Sequence, residues 1–145
     1  MTTAIQTATG PQPLSQSEER SWAMLAHLSV LVNLFTGIFG PLVALGIYLL
    51  FSARSKYVAY HAMQSFLFQL VLWYGLGVMW AIVGILSSIL VGVILIPFAC
   101  ILTPFFLIGM AIAPIYGIVG AVQTSQGQDF KYWIVGDWAR GTLGN

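Results

Sequence analysis

Charge is what this sequence has least of. Asp, Glu, Lys and Arg make up 6% of its 145 residues, four acidic and five basic, where a soluble domain carries roughly 25%. A water-soluble globule of this length has no means of covering its surface with so few ionic groups. The net charge of +1 gives no electrostatic footprint for nucleic acid. Disorder is excluded by the 59% hydrophobic content. A lone cysteine, Cys100, excludes an internal disulfide framework. What remains, with a mean hydropathy of +0.90, is an all-α integral membrane protein of one domain, with the lipid bilayer as its first partner.

The few charges are also clustered. Glu18, Glu19 and Arg20 form one group, Arg54 and Lys56 a second, and Asp129, Lys131, Asp137 and Arg140 a third. Residues 21–53 and 57–128 carry none. A spanning helix needs about 20 apolar residues. The longer stretch therefore holds two long spans or three short ones. Lys and Arg concentrate on the cytoplasmic side, and two crossings put the second and third clusters on one side. A hairpin of two short spans in the first stretch then gives four helices with N-in/C-in topology. A re-entrant loop or a single tilted span over residues 22–51 are the other readings. Residues 1–16 lack the basic leader of a signal peptide and read as a flexible tail. The membrane domain covers 17–124, and 125–145 reads as a cytoplasmic or interfacial segment.

Along the chain, Ser15 and Glu18 have capping-box spacing, so a helix is predicted from about Ser17 to Phe35. Gly37, Gly40 and Pro41 interrupt it, and a short helix follows to Ala53. The third helix is predicted from Tyr57, with its polar first turns at the cytoplasmic interface and a turn within Ser87–Pro97. The fourth runs from about Phe98 to Gln123. Pro104 and Pro114 are expected to kink it, with Thr103 satisfying a freed backbone group.

Two stripes of small residues stand out. Gly77, Ala81, Gly84 and Ser88 line one face of helix three, and Gly109, Ala113, Gly117 and Ala121 one face of helix four. Small residues let membrane helices approach closely. The simplest reading packs helices three and four on each other. The alternative is an interface with a membrane-protein partner or a homo-oligomer.

No phosphate loop, nucleophile elbow, paired-cysteine metal motif or dinucleotide fingerprint is present. The apolar stretches hold no acid, which leaves His27, Asn33, His61, Gln64 and Gln69 as the polar candidates. Two histidines without a Cys or carboxylate partner do not form a recognisable metal site. His27, His61 and Gln64 are therefore assigned structural polar contacts, with His61 and Gln64 on one helix face and the start of helix one, near His27, as their neighbour. No catalytic residue, metal ligand or cofactor follows. The leading function is a non-enzymatic accessory, scaffold or assembly subunit. The alternatives are a transport or translocation component, with Asn33, His61, Gln64 and Gln69 lining a shared cavity, and a pigment-, haem- or quinone-binding subunit, with His27 and His61 converging on an aromatic pocket.

Three segments carry a family resemblance: Glu18–Leu28, Tyr60-His61-Ala62-Met63-Gln64-Ser65, and Gly127-Gln128-Asp129-Phe130-Lys131-Tyr132. Together they resemble a bacterial family of small multi-pass proteins of unknown function, grouped with the Tic-twenty-like chloroplast import subunit. The resemblance implies a helical inner-membrane domain with both termini in the cytoplasm, and it suggests translocation by analogy. This chain departs from the pattern at Trp133, where relatives often have proline, and in Ser52–Tyr57, which lacks an acid.

Overall fold

The computed structural model describes residues 11–133 and 135–143, and among them every regular element is helical. Helix α1 (Gln16–Leu28) begins at a capping box. The Ser15 Oγ accepts from the Glu18 N–H at 3.4 Å, and the Glu18 carboxylate accepts from the Ser15 N–H at 2.8 Å. These bonds satisfy otherwise unpaired donors of the first turn, and the Ser15 hydroxyl, donating to the Glu18 carboxylate at 2.7 Å, together with the Ser15 N–H holds that carboxyl below its ordinary range. Pro11–Ser15, the end of the segment read as a tail, is in contact with the bundle. Leu14 is buried among Ala26, Ile47 and Phe51, and the Arg54 Nε donates to the Gln12 carbonyl at 2.8 Å.

After α1 the helix tightens into a 3₁₀ turn (Ser29–Leu31), resumes as α2 (Val32–Thr36) and stops at Gly37, whose φ of 78° only glycine adopts readily. Helix α3 (Gly40–Phe51) starts with Pro41 in its first turn, where a missing N–H costs nothing. Helix α4 (Lys56–Gln69) is capped by the Ser55 Oγ, which accepts from the Val58 N–H at 3.2 Å. It passes through a π turn (Leu70–Tyr74) into α5 (Gly75–Ser87). Lys56–Ser87 is thus one apolar helical run of 32 residues. A turn at residues 88–90 leads to α6 (Val91–Ser125), 35 residues long. Helix α7 (Val135–Leu143) ends the described chain.

Helix α6 starts well before Phe98 and contains Pro97 as well as Pro104 and Pro114. Residues 91–97 are apolar, and in hydrocarbon only a helix satisfies their backbone groups internally. The Thr103 hydroxyl does not serve the carbonyl that Pro104 leaves free. It donates to the Ala99 carbonyl at 2.7 Å and accepts from the Trp80 Nε1–H at 2.9 Å.

Helix α1 lies between α4 and the C-terminal part of α6, α3 packs on α4, and α7 covers another face of α4. Helix α5 packs chiefly on α6, so these two form a hairpin projecting from the bundle. At 1.5 Å per residue the two long runs measure about 48 and 52 Å, more than a hydrocarbon core of about 30 Å.

Polar side chains are prominent among the largest buried groups, and the exterior is apolar. Tyr132, His27, His61, Gln64 and Gln69 are the five largest fully buried side chains. Outside stand Phe35, Leu49, Ile85, Ile94, Phe105 and many more large hydrophobics. A soluble monomer rarely exposes apolar patches beyond a few hundred Å², so this surface is one that lipid covers.

The stripe on helix three faces outward. Gly77, Ala81, Gly84 and Ser88 are all exposed, and a methyl group at Gly77 or Gly84 would meet nothing within 4 Å. The stripe on helix four faces inward, but mainly toward α1. A Cβ at Gly117 would lie 2.5 Å from the Val30 Cγ1 and 2.9 Å from the His27 carbonyl oxygen. Ala113 and Ala121 are buried, and Gly109 admits the Leu72 side chain from the π turn. The close seam is therefore α1 on α6, because the 3₁₀ turn brings the backbone of helix one against Gly117.

Candidate functional site

The buried polar residues form two hydrogen-bond networks between α1 and α4, completed by Asn33, Gly40 and the C-terminal segment. In the first, the Gln64 amide fixes every direction. Its Nε2 lies 2.8 Å from the Phe130 carbonyl, which only accepts, and its Oε1 lies 3.1 Å from the Tyr132 backbone N–H, which only donates. The amide therefore has one orientation. Its remaining N–H points at the His61 Nδ1, 2.8 Å away, so that nitrogen is an acceptor.

The rest of the chain follows. The His27 Nε2 is 3.2 Å from the same His61 Nδ1, where two facing lone pairs would repel, so His27 carries its proton on Nε2 and shares the single lone pair of the His61 Nδ1 with Gln64 in a longer three-centre contact. The His27 Nδ1 is then an acceptor, and the Tyr132 hydroxyl 3.1 Å away is the donor. Burial pushes the Tyr132 hydroxyl far above its ordinary range, so it keeps its proton. The sequence Tyr132 O–H to His27, then His27 N–H to His61, requires both imidazoles neutral. The neutral His61 carries its proton on Nε2, which has no partner among the described residues.

The second network is fixed in the same way. The Asn33 Oδ1 accepts from the Gly40 N–H at 2.7 Å, so its Nδ2 donates to the Gln69 Oε1 at 3.0 Å. The Gln69 Nε2 donates to the Ser29 Oγ at 2.8 Å and the Ser65 Oγ at 3.1 Å. Both serine hydroxyls donate to the Ala26 carbonyl, at 2.7 and 2.6 Å. Gly40 is required here. A Cβ on it would fall 2.6 Å from the Asn33 Nδ2 and inside contact distance of the Gln69 Oε1.

Aromatic rings enclose the first network. Tyr132 stacks on Phe68 with centroids 4.3 Å apart and an 11° tilt. Phe130 meets His27 edge-on at 5.1 Å, and Tyr57 meets His61 at 4.4 Å. Above it, Arg140 pairs with Asp129 and lies 4.8 Å from the centre of the Tyr60 ring. Lys131 pairs with Asp137 at 2.6 Å. The C-terminal segment is thus tied to the helices by its backbone, by Tyr132 and by packed rings.

His61, Gln64 and Ser65 are buried in protein here, not lodged at an interface with water and headgroups. Asn33 and Gln69 do not converge with His61 and Gln64 on a cavity. They bond to each other one to two turns further along. Phe130 and Tyr132, read from sequence as interfacial aromatics, are the partners that reasoning missed. A signal for the α4 face did exist: His61, Ser65 and Gln69 recur every four residues in an otherwise apolar helix. No group of three or more His, Cys, Asp or Glu side chains converges among the described residues.

Residues 18–139 match the model of the magnetosome magnetite crystal formation protein family, MamF/MmsF. The chain belongs to this family. The expectation of membership in the Tic-twenty-like family is corrected by that match, and the analogy to protein translocation loses its basis with it. The three segments behind the resemblance hold Glu18 and His27 of α1, the His61–Gln64 pair and the Phe130–Tyr132 strap. These are packing features of a helical membrane fold, which is why they misled. No curated protein and no solved structure matches the chain. Membership in the magnetosome family agrees with the two long apolar helices in making this a membrane protein.

Proposed function

We propose that this chain is a non-enzymatic accessory or scaffold subunit of the membrane in which magnetite crystals form. The observation that carries the reading is that the side chains best suited to chemistry are engaged with one another. Both ring nitrogens of His27, the Nδ1 of His61 and the whole amide of Gln64 are bonded inside the protein. Such a fully oriented network gives one rigid arrangement of helices and strap.

In this reading the protein is multi-pass. The run α1–α2 and helix α3 form a short hairpin, Lys56–Ser87 and α6 cross fully, and α7 lies along the interface with Trp138 toward lipid. Both termini are cytoplasmic. The support is that all three charge clusters meet at one end of the bundle. The Ser55 hydroxyl donates to the Glu19 carboxylate at 2.6 Å, and the Tyr57 hydroxyl donates to the Gln128 carbonyl at 2.9 Å. The outward stripe Gly77, Ala81, Gly84 and Ser88 is the face offered to another membrane protein or a second copy.

The test is complementation in a magnetite-forming cell whose own copy has been deleted, read as crystal size and number by electron microscopy. A chain with His27→Gln and His61→Gln, confirmed folded and at normal level in the membrane, should restore the crystals. Wild-type-like folding with no restoration would show that the imidazoles do chemistry and would overturn the reading.

A further inference from the structure

Where α1 meets the end of α6, a cavity of about 360 Å³ is lined by Gln16, Ser17, Arg20, Ser21, Met24 and Ser125. Five of its six lining residues are polar. Arg20 is half-buried and has no carboxylate within ion-pair distance among the described residues, whereas Lys131 and Arg140 each have one. The nearby acids are engaged elsewhere: Glu18 closes the capping box, and Glu19 accepts from Ser55.

The guanidinium packs at the border with an adjoining pocket, which Arg20 lines together with Gln16, Glu19, Tyr57 and Gly127. It lies against Gly127, which has a φ of +79°, and a Cβ there would sit 2.8 Å from the Arg20 Nε and 2.9 Å from its Cζ. The backbone angle favours glycine, and a side chain there would push the flexible Arg20 head aside. Three serine hydroxyls share the cavity. Those of Ser21 and Ser125 now donate to the Ser17 and Val122 carbonyls, and hydroxyls rotate freely enough to turn toward a bound acceptor. Below the cavity the walls become apolar, with Leu25 on α1 and Val122 and Ile118 on α6 all exposed.

We propose that this cavity binds the phosphate of an anionic membrane lipid, with Arg20 as its charged contact and the acyl chains lying along Leu25, Val122 and Ile118. Guanidinium presents a fork of donors that matches phosphate oxygens. A basic pocket between membrane helices at the level of the charge clusters is where headgroups are recognised. A free phosphate ion offers the same oxygens. The apolar walls directly below the cavity favour the lipid.

Native mass spectrometry of the full chain in dodecyl maltoside tests the site with dioctanoyl phosphatidate, dioctanoylglycerol and inorganic phosphate. Wild type should retain one phosphatidate, and dioctanoylglycerol should bind at least tenfold more weakly. Arg20→Gln should weaken phosphatidate binding at least tenfold. Ser125→Asp, on the exposed surface, should do the same by placing a carboxylate beside Arg20. Lys131→Gln should leave it unchanged. Equal binding by wild type and either cavity variant, or by phosphatidate and dioctanoylglycerol, would overturn the proposal. Inorganic phosphate in hundredfold excess should not displace the lipid. Full displacement would assign the site to free phosphate and overturn the lipid.

Discussion

The His27 Nε2 donates to the His61 Nδ1 across 3.2 Å, in a direction set by Gln64 on the far side of His61. Gln64 in turn is oriented by two backbone groups of the C-terminal segment. One amide therefore fixes the tautomers of two buried imidazoles 34 residues apart. Gln64→Leu should cost about 2–4 kcal/mol, since it leaves the Phe130 carbonyl and the Tyr132 N–H buried without partners. Gln64→Glu should cost about 1–2 kcal/mol, because a buried neutral carboxyl has a single donor and cannot serve both the Phe130 carbonyl and the His61 Nδ1. Thermal unfolding in detergent reads both. A Glu variant as stable as wild type would refute the assigned orientation.

Glycines at buried seams and on the outer face should respond oppositely. Gly117→Ala should cost about 1–3 kcal/mol by forcing α6 away from Val30 and His27. Gly40→Ala should cost a similar amount by breaking the Asn33–Gln69 bond. Gly84→Ala, with open space around it, should be neutral or stabilising by up to about 1 kcal/mol from helix propensity. Equal losses at Gly84 and Gly117 would contradict the placement of the α1–α6 seam.

The charge clusters, the Ser15–Glu18 cap and the Gly37–Pro41 break place most helix ends from sequence alone, because each is a local signal. What stayed hidden was non-local. Spacing shows that Gly77, Ala81, Gly84 and Ser88 share a face, but not which way that face turns. Tyr132 sits 105 residues from its partner His27, and nothing in its neighbours distinguishes it from an interfacial tyrosine. The polar face His61, Ser65 and Gln69 was legible as a stripe. The interfacial reading covers only the first turns of the helix, with His61, Gln64 and Ser65, and the structure buries those three side chains inside the protein.

Leu90, at the turn into α6, has a φ of 67°, a region that costs a non-glycine residue roughly 1–2 kcal/mol. Its side chain is exposed, so little packing is lost on removing it. Leu90→Gly should raise stability by about 0.5–1 kcal/mol after the glycine entropy cost. A lower melting temperature would show that the Leu90 side chain makes a contact outweighing this strain.

Burial raises the Tyr132 hydroxyl above its ordinary value of about 10. The unfolded tyrosine ionises first, so the contribution of this group to stability is complete below about pH 10 and falls as pH rises toward the folded value. Tyr132→Phe should cost about 1–3 kcal/mol at neutral pH, by leaving the His27 Nδ1 unpaired, and should flatten the loss of stability between about pH 10 and 12. Parallel pH profiles for the two proteins would contradict a buried, proton-donating Tyr132.

The C-terminal segment is locked to α4 through Gln64. Hydrogen–deuterium exchange at the Tyr132 amide, in lipid nanodiscs, measures that lock directly. The amide should be strongly protected in the wild-type chain and should exchange fast in Gln64→Leu, while the amides of α6 stay protected in both. Fast exchange at Tyr132 in the wild-type protein, or equal protection in the variant, would contradict it.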